Sequence, residues 1–369
     1  MTEPAQGTAL VRWLRAEWRH LSTFHPTRRR WPMPVAAGLA TGLPVLVGAY
    51  FGRLDYGLVS SLGGLAFLYL PETPMHHRMA RLMACAFGLA ACYALGIMTH
   101  ALPAATVPLL TVIAMLVTMA CRYYGVGPPG SLFFVMVAAI GAYSPVPLVE
   151  LPLRVGLVFL GSLLAALIAF AYSLVVLRSR APTPVEPLPP PTFDSVVVDA
   201  VLIGALVGLS LLLALALQLQ RPYWVPVSCM AVIQGASMRA VWNRNLQRVA
   251  GTAIGMLVAW GLLSLPLDPW MVAPILMLLS FVIEWLIVRH YGLATVFITP
   301  LTILLAEAAT LDSQASHAAL IQSRFVDTTL GCLVGLLGGV VMHQPRLRAT
   351  VGRSLWALVP ARMKGRKAA

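Results

Sequence analysis

Charged residues are scarce in this sequence. They make up only 11% of its 369 residues, whereas hydrophobic residues make up 59%. A typical soluble domain carries about 25% charged residues, and a soluble enzyme of this length would need far more polar surface to cover its cores. Disorder is excluded as well, because disordered chains are poor in hydrophobic residues. The composition therefore predicts a membrane protein.

Lysine and cysteine are also rare, and neither supplies a recognisable site. Neither Lys364 nor Lys367 is followed by Ser or Thr, so the sequence has no GK[ST] motif for nucleotide binding. The cysteines form no CxxC pair and no Cys/His cluster, which favours apolar packing over disulfide or metal roles. All five lie in apolar segments: Cys85, Cys92, Cys121, Cys229 and Cys332. We expect no cofactor and no metal.

Twelve apolar runs predict an all-helical, polytopic membrane protein. They cover approximately residues 34–51, 58–70, 82–99, 104–121, 130–146, 152–177, 196–217, 223–236, 249–265, 270–288, 291–306 and 325–342. A helix needs about 20 residues to cross the bilayer, so the runs 58–70 and 223–236 are too short to cross alone. They can span only by recruiting polar flanking residues or by being broken.

A stretch with six prolines between Pro182 and Pro191 divides the chain into halves, and such a stretch acts as a semi-rigid connector. The basic, amphipathic ends are expected to lie on membrane lipids. We predict five segments: a cytoplasmic arm over 1–33, a six-helix membrane repeat over 34–180, a cytoplasmic linker over 181–195, a second six-helix repeat over 196–343 and a basic cytoplasmic tail over 344–369.

The two halves resemble each other in sequence. A shift of 167 residues aligns Tyr56 with Tyr223, Arg81 with Arg248, Gly88 with Gly255, and Arg122-Tyr123-Tyr124-Gly125 with Arg289-His290-Tyr291-Gly292. Three further inserted residues align Arg154 and Gly161 with Arg324 and Gly331. Because each half has an even number of runs, the repeats are predicted to be parallel.

Glycines at four-residue spacing recur within the runs. This spacing allows helix backbones to approach closely in a membrane, and we interpret it as tight packing. The positions are Gly38 and Gly42, Gly204 and Gly208, Gly251 and Gly255, and Gly331, Gly335 and Gly339.

The formal charge of +13 is unevenly distributed between the two sides of the predicted bundle. Of 26 Lys and Arg, only Arg53, Arg154, Arg221 and Arg324 fall on one side of a twelve-span topology. Under the positive-inside rule this places both termini in the cytoplasm. Because the basic residues carry this topological signal, no nucleic-acid partner is expected.

Interrupted segments at matching places in two halves point to a transporter's binding site. Pro226 interrupts the run 223–236 and Gln234-Gly235 ends it, while Gly63-Gly64 breaks the run 58–70. We therefore predict substrate contacts at five positions: Tyr56, Tyr223, Trp224, Gln234 and Ser237. As an alternative, Tyr223 and Trp224 belong to an interfacial aromatic belt, and Gln234 and Ser237 mark where the helix leaves the membrane.

Three arginines follow this run on the predicted cytoplasmic side: Arg239, Arg244 and Arg248. They are candidates for capturing an anionic substrate, or alternatively carry the topological signal and contact lipid headgroups.

Glu284 is the one acid well inside an apolar run. Acids in membrane segments tend to be functional, because a buried charge is costly. Glu284 is therefore the candidate for proton coupling, the alternative being a structural pair with Arg289. For Glu307, Arg324 and Asp327, near the ends of the last two runs, we expect a structural ion pair.

One stretch resembles the signature of the fusaric-acid-resistance (FUSC) or aromatic acid exporter family. It runs from Pro222-Tyr223-Trp224 through Arg244 to Arg248, Gly251, Thr252 and Gly255. The resemblance implies an inner-membrane efflux protein for aromatic carboxylic acids, working with a periplasmic adaptor. Two features depart from the family pattern: no large cytosolic domain follows either half, and Gly57 stands opposite Trp224.

Together these observations predict an inner-membrane efflux transporter, not an enzyme, for small aromatic or anionic compounds. The oligomeric state is left open. A pore or scaffold subunit of a larger assembly is the alternative. A lipid-modifying enzyme is a second alternative. Its best candidate for a catalytic cluster in the sequence is Glu72 with His76 and His77.

Overall fold

The computed structural model describes residues 23–27, 31–188, 190–307 and 317–358. Every regular element within these ranges is a helix, which confirms the all-helical prediction. Most of the predicted arm over 1–33 and the end of the tail lie outside the described residues.

The first half contains six α-helices. Their bounds are α1 Pro32–Tyr50, α2 Leu54–Gly64, α3 Met75–Met98, α4 Thr106–Tyr123, α5 Leu132–Tyr143 and α6 Leu151–Ser179. A 3-10 turn, Leu65–Tyr69, extends α2. The proline-rich linker follows α6 without a helix among its described residues before Phe193.

The second half repeats this order of long and short helices. Its elements are α7 Asp199–Ala216, α8 Trp224–Ile233, α9 Met238–Leu263, α10 Pro269–Leu286, α11 Tyr291–Glu307 and α12 His317–His343, followed by the tail helix α13 Pro345–Leu358. A π-helical turn, Asp194–Val198, leads into α7.

Eight described helices are long and apolar enough to cross a membrane: α1, α3, α4, α6, α7, α9, α10 and α12. The chain is therefore a multi-pass membrane protein. The sequence marked two runs as too short, and the structure shortens a third. α5 has 12 residues, about 18 Å of helix, because Pro128-Pro129-Gly130 precedes it and Pro145 follows it.

The predicted interruption of α8 by Pro226 is wrong. α8 begins at Trp224, so Pro226 is its third residue and lies in the first turn, where a missing N–H breaks no helical hydrogen bond. The predicted end is confirmed, since Gln234 caps the helix. In the first half, α2 ends at Gly64 as the glycine pair indicated.

Close packing brings the helices of each half together. α2 packs against α1 and α6, and α8 packs against α7 and α12. The interpretation of the glycine spacing as tight packing is confirmed: a Cβ on Gly38 of α1 would lie 2.7 Å from the Met277 carbonyl oxygen of α10. A Cβ on Gly204 of α7 would lie 3.0 Å from the Thr111 carbonyl oxygen of α4. These two contacts join the halves.

Candidate functional site

The short helix α8 is the centre of the second half. All ten of its residues are buried, and its length is only about 15 Å. It contacts α7, α9 and α12 of its own half and α5 of the first half. Gly331 of α12 makes this packing possible, because a Cβ there would lie 2.3 Å from the Val225 carbonyl oxygen.

Arg324 of α12 lies over the first residue of α8. Its side chain is 4% exposed, and its Cζ lies 3.5 Å from the centroid of the Trp224 ring. Nη2 donates a hydrogen bond to Oγ1 of Thr302 at 3.1 Å. Nε and Nη1 donate to no group among the described residues.

Arg248 of α9 approaches the same face of α8 one turn further along. It is 5% exposed. Nη1 donates to the Tyr291 hydroxyl at 3.2 Å and Nη2 to the Ser228 hydroxyl at 3.3 Å. Nε is left without an acceptor in the described part of the chain. Ser228 follows Trp224 by four residues, the spacing that aligns side chains on one helix face.

The glycines of the sequence signature explain how Arg248 reaches this position. A Cβ on Gly251 would lie 2.6 Å from the Gly292 carbonyl oxygen, and one on Gly255 would lie 2.5 Å from that of Val296. Their absence of side chains lets α9 lie directly against α11. The same packing brings Tyr291 of α11 to Arg248 and Arg244, whose Cζ lies 5.7 Å from the Tyr291 ring centroid.

Asp327 brings the only described carboxylate on α12 into this region. It is 0% exposed, and neither of its oxygens accepts a hydrogen bond from a described group. Asp327 follows Arg324 by three residues on the same helix face, and the charges of Arg324 and Arg221 act on it. We call Trp224, Ser228, Arg248, Arg324 and Asp327 the arginine cluster. Unpaired buried charges cost several kcal/mol each, which makes this cluster a functional candidate.

Of the ion pair expected for Glu307, Arg324 and Asp327, the part between Arg324 and Asp327 is not formed among the described residues. Arg324 contacts Trp224 and Thr302, and Asp327 accepts no described hydrogen bond. The side chain of Glu307 lies outside the described residues. The sequence placed these residues near helix ends, where ion pairs are common, but the packing of α12 on α8 buries them.

Of the predicted substrate contacts, Tyr223 and Trp224 lie at the cluster. Tyr223 stacks on Tyr143 of α5, with ring centroids 5.8 Å apart and planes at 29°, and its ring lies 5.0 Å from that of Trp224. Trp224 is only 3% exposed. It therefore faces the interior of the bundle and not a lipid-facing aromatic belt.

Gln234, Ser237 and Arg239 lie at the opposite end of α8, about 15 Å from Trp224. Gln234 donates from Nε2 to the Ser131 hydroxyl before α5 at 3.0 Å, which ties the two halves together. The Ser237 hydroxyl caps α9 by accepting from the Ala240 N–H at 3.2 Å. Arg239 is exposed. The structure thus gives Gln234 and Ser237 a packing or capping role.

Tyr56, the match of Tyr223, lies in a different environment in the first half. Its half-buried ring lies between two guanidinium groups, with Cζ of Arg53 at 3.6 Å and Cζ of Arg154 at 4.9 Å from the centroid. Arg154 pairs with Asp55 at 3.2 Å and Glu150 at 3.0 Å. The hydrogen bond to Asp55 raises the pKa of Arg53 above its ordinary value.

The two halves therefore differ at matched positions. Arg154, which corresponds to Arg324, is neutralised by two acids, whereas Arg324 forms no described ion pair. Arg81, which corresponds to Arg248, donates to the Gly125 carbonyl oxygen at 3.0 Å, and its Nε, like that of Arg248, has no acceptor among the described residues. The two halves differ in burial: Arg248 and Arg324 are buried, and Arg324 lies over a buried tryptophan.

Glu284 lies apart from the arginine cluster on α10. It is 8% exposed, and α10 packs against α1 and α11. Arg289, considered as its partner, donates to the Trp285 carbonyl oxygen, and its Cζ lies 4.4 Å from the Trp285 ring centroid. The guanidinium of Arg289 is thus engaged by Trp285.

The described residues offer little for the other candidate chemistries. They contain no group of three or more His, Cys, Asp or Glu that could hold a metal ion. His77 hydrogen bonds to Thr73 at 2.8 Å. A cleft of about 30 Å³ lies near Glu72, Arg78 and Arg180, with room for about two water molecules.

Comparison with known proteins supports the resemblance seen in the sequence. Residues 200–338 match the family model described as fusaric acid resistance protein-like, and this range contains the entire arginine cluster. The resemblance is confirmed there. The uncharacterized membrane protein YvaC of Bacillus subtilis (strain 168) is 22% identical, with 86% of this chain and 74% of YvaC covered. No solved structure matches the chain.

Proposed function

We propose that this chain is an efflux transporter for small anions, chiefly aromatic carboxylates, and that the arginine cluster is its binding site. One observation carries the proposal: the buried guanidinium groups of Arg248 and Arg324 have N–H donors without an acceptor among the described residues, and Arg324 lies over the ring of Trp224. A carboxylate matches guanidinium donors through charge-assisted hydrogen bonds. The neighbouring aromatic rings suit an aromatic substrate, because ring pairs contribute about 0.5–1.5 kcal/mol.

Helix contacts support a transporter built from two parallel six-helix repeats, with twelve transmembrane helices. α3 contacts α5 and α6, and α9 contacts α11 and α12. α1 packs on α10 across the two halves, and α4 packs on α7. Exchanging each helix of the first half for its counterpart in the second half exchanges these contacts, as expected for parallel repeats related by an axis along the membrane normal. Transporters commonly bind substrate near the bilayer midplane of such repeats.

The distribution of Lys and Arg supports an inner-membrane location with both termini in the cytoplasm. Arg248 is ten residues beyond the start of α9, about 15 Å along a helix. The buried Arg248 is thus well separated along α9 from the exposed Arg239 at its start. In this topology Arg324 lies towards the periplasm and Arg244 towards the cytoplasm, where Arg239 and Arg244 attract substrate anions. The same proposal includes two further points. Glu284 carries the proton that drives export, and the chain works with a periplasmic adaptor.

The test is binding and transport of benzoate by the purified chain in proteoliposomes. Arg324→Gln and Arg248→Gln each remove one charged donor. A hydrogen bond to a charged group contributes about 1.5–3 kcal/mol, so each variant should bind benzoate at least about tenfold more weakly. Arg154→Gln is the matched control from the first half and should change affinity less than about twofold, because two acids already neutralise that arginine.

The proposal fails if folded Arg324→Gln and Arg248→Gln proteins bind benzoate as the wild type does. A benzoate flux that never saturates would instead support the pore alternative.

A further inference from the structure

We infer that Asp327 is the internal counter-ion of the arginine cluster and that it takes up a proton when an anion binds. This inference rests on the proposed function, since it concerns the same site. It assigns the pH response of substrate binding to α12 and not to Glu284 on α10.

The position of Asp327 makes it a competitor of the substrate. Its carboxylate is fully buried and accepts no described hydrogen bond. Arg324, three residues earlier on the same helix face, has two N–H groups without an acceptor among the described residues. An ionised Asp327 attracts these donors and repels an entering anion. A protonated Asp327 does neither.

The ionisable groups around Asp327 leave it outnumbered by cations. Arg324 of its own helix and Arg221 before α8 act on the charge of Asp327, and Tyr223 is also within range of it. Arg248 of α9 and Cys332 of α12 act on Arg324, and Tyr291 of α11 accepts from Arg248. α7, which also packs on α12, carries one ionisable group, Asp199, and that carboxylate is paired with Arg122 and Arg348. α13 packs on the far end of α12. An anion bound to Arg324 places a second negative charge beside the Asp327 carboxylate, and a like charge at short range favours the protonated form of that carboxylate.

In the linked reaction, an ionised Asp327, one proton from solution and one anion give a protonated Asp327 with the anion bound to Arg324. Linkage then fixes the sign. Because the proton strengthens anion binding, the anion equally strengthens proton binding. Affinity is therefore highest at low pH and falls as the pH rises, by at most about tenfold per pH unit for one proton. Loss of the proton returns the carboxylate to Arg324 and expels the anion.

The experiment measures binding of benzenesulfonate, whose own charge is constant, to the purified full chain between about pH 5.5 and 8.5, a range that covers a one-proton transition. The wild type should lose affinity as the pH rises. Asp327→Asn should bind tightly at every pH. Asp199→Asn is the matched control, because it also changes a buried acid to its amide but lies outside the arginine cluster, and it should keep the wild-type pH slope.

Calorimetry in two buffers with different heats of ionisation gives a second measurement. The wild type should take up protons as benzenesulfonate binds, and Asp327→Asn should take up almost none. Wild-type binding without proton uptake and without a pH slope would overturn the role of Asp327 even if the Asn variant is unstable. A wild-type slope retained in Asp327→Asn would do the same. Absence of binding by the wild type would refute the binding site itself.

Discussion

The contact between Arg324 and Trp224 gives a measurable prediction about the binding site. The guanidinium carbon lies 3.5 Å from the ring centroid, and both side chains are buried. A desolvated cation–π contact contributes about 2 kcal/mol or more, and 1.4 kcal/mol corresponds to a tenfold change in affinity. If this contact holds Arg324 in position for the anion, its loss should weaken benzoate binding by about tenfold to thirtyfold.

Two substitutions separate the effect of the aromatic ring on affinity from the effect of an apolar side chain at this position. Trp224→Phe keeps an aromatic face for Arg324, and Trp224→Leu keeps an apolar side chain, smaller than Trp, without one. We expect affinity to fall in the order Trp, Phe, Leu, with about a tenfold loss for Leu. Truncation to Ala is a poorer test, because emptying a core Trp site costs about 3–5 kcal/mol of stability. Affinity is measured by calorimetry on monodisperse protein and normalised to the folded fraction.

Trp285 supplies the matched control. It also carries an arginine over its ring, Arg289 at 4.4 Å, but its side chain is 45% exposed. Trp285→Leu should leave benzoate affinity unchanged. Equal affinity of the Trp, Phe and Leu proteins at position 224 would show that Trp224 serves packing alone. An equal loss from Tyr56→Leu would show that both halves share the site, which contradicts its location in the second half.

Much of the fold follows from the sequence because membrane helices leave a strong one-dimensional signal. Hydrophobic runs locate helices, and glycines at four-residue spacing locate their contacts, as at Gly251 and Gly255 against α11. The short α5 was missed because Pro145 and the turn before Leu132 lie inside an otherwise apolar run. Pro226 was taken as a break because a proline usually interrupts a helix, but here it is the third residue of α8, where the first turn tolerates it.

The candidate site was predicted only in part. The sequence repeat marked Arg248 and Arg324, but their burial depends on contacts between residues far apart in the chain. Arg324 and Trp224 are separated by 100 positions, so no local sequence pattern predicts that one lies over the other. One signal was available: Arg324 is followed by Asp327 and Thr328 within one turn, and such a polar group in an apolar helix usually faces the bundle interior.

The remaining predictions concern topology and coupling. Reporter fusions at Asp194 and Thr350 should report the cytoplasm and one at Asp268 the periplasm; an external signal at Asp194 would contradict the six-plus-six arrangement. Glu284→Gln should insert normally and keep wild-type benzoate affinity, because Glu284 lies outside the arginine cluster, yet lose export driven by a proton gradient. The amide has nearly the same size but cannot carry a proton, and a buried acid that costs about 2.5–3.5 kcal/mol to insert calls for such a role. Counterflow of benzoate without a gradient should persist in this variant, which separates a coupling defect from a folding defect. Unchanged gradient-driven export would leave Glu284 with a structural role and require another proton carrier.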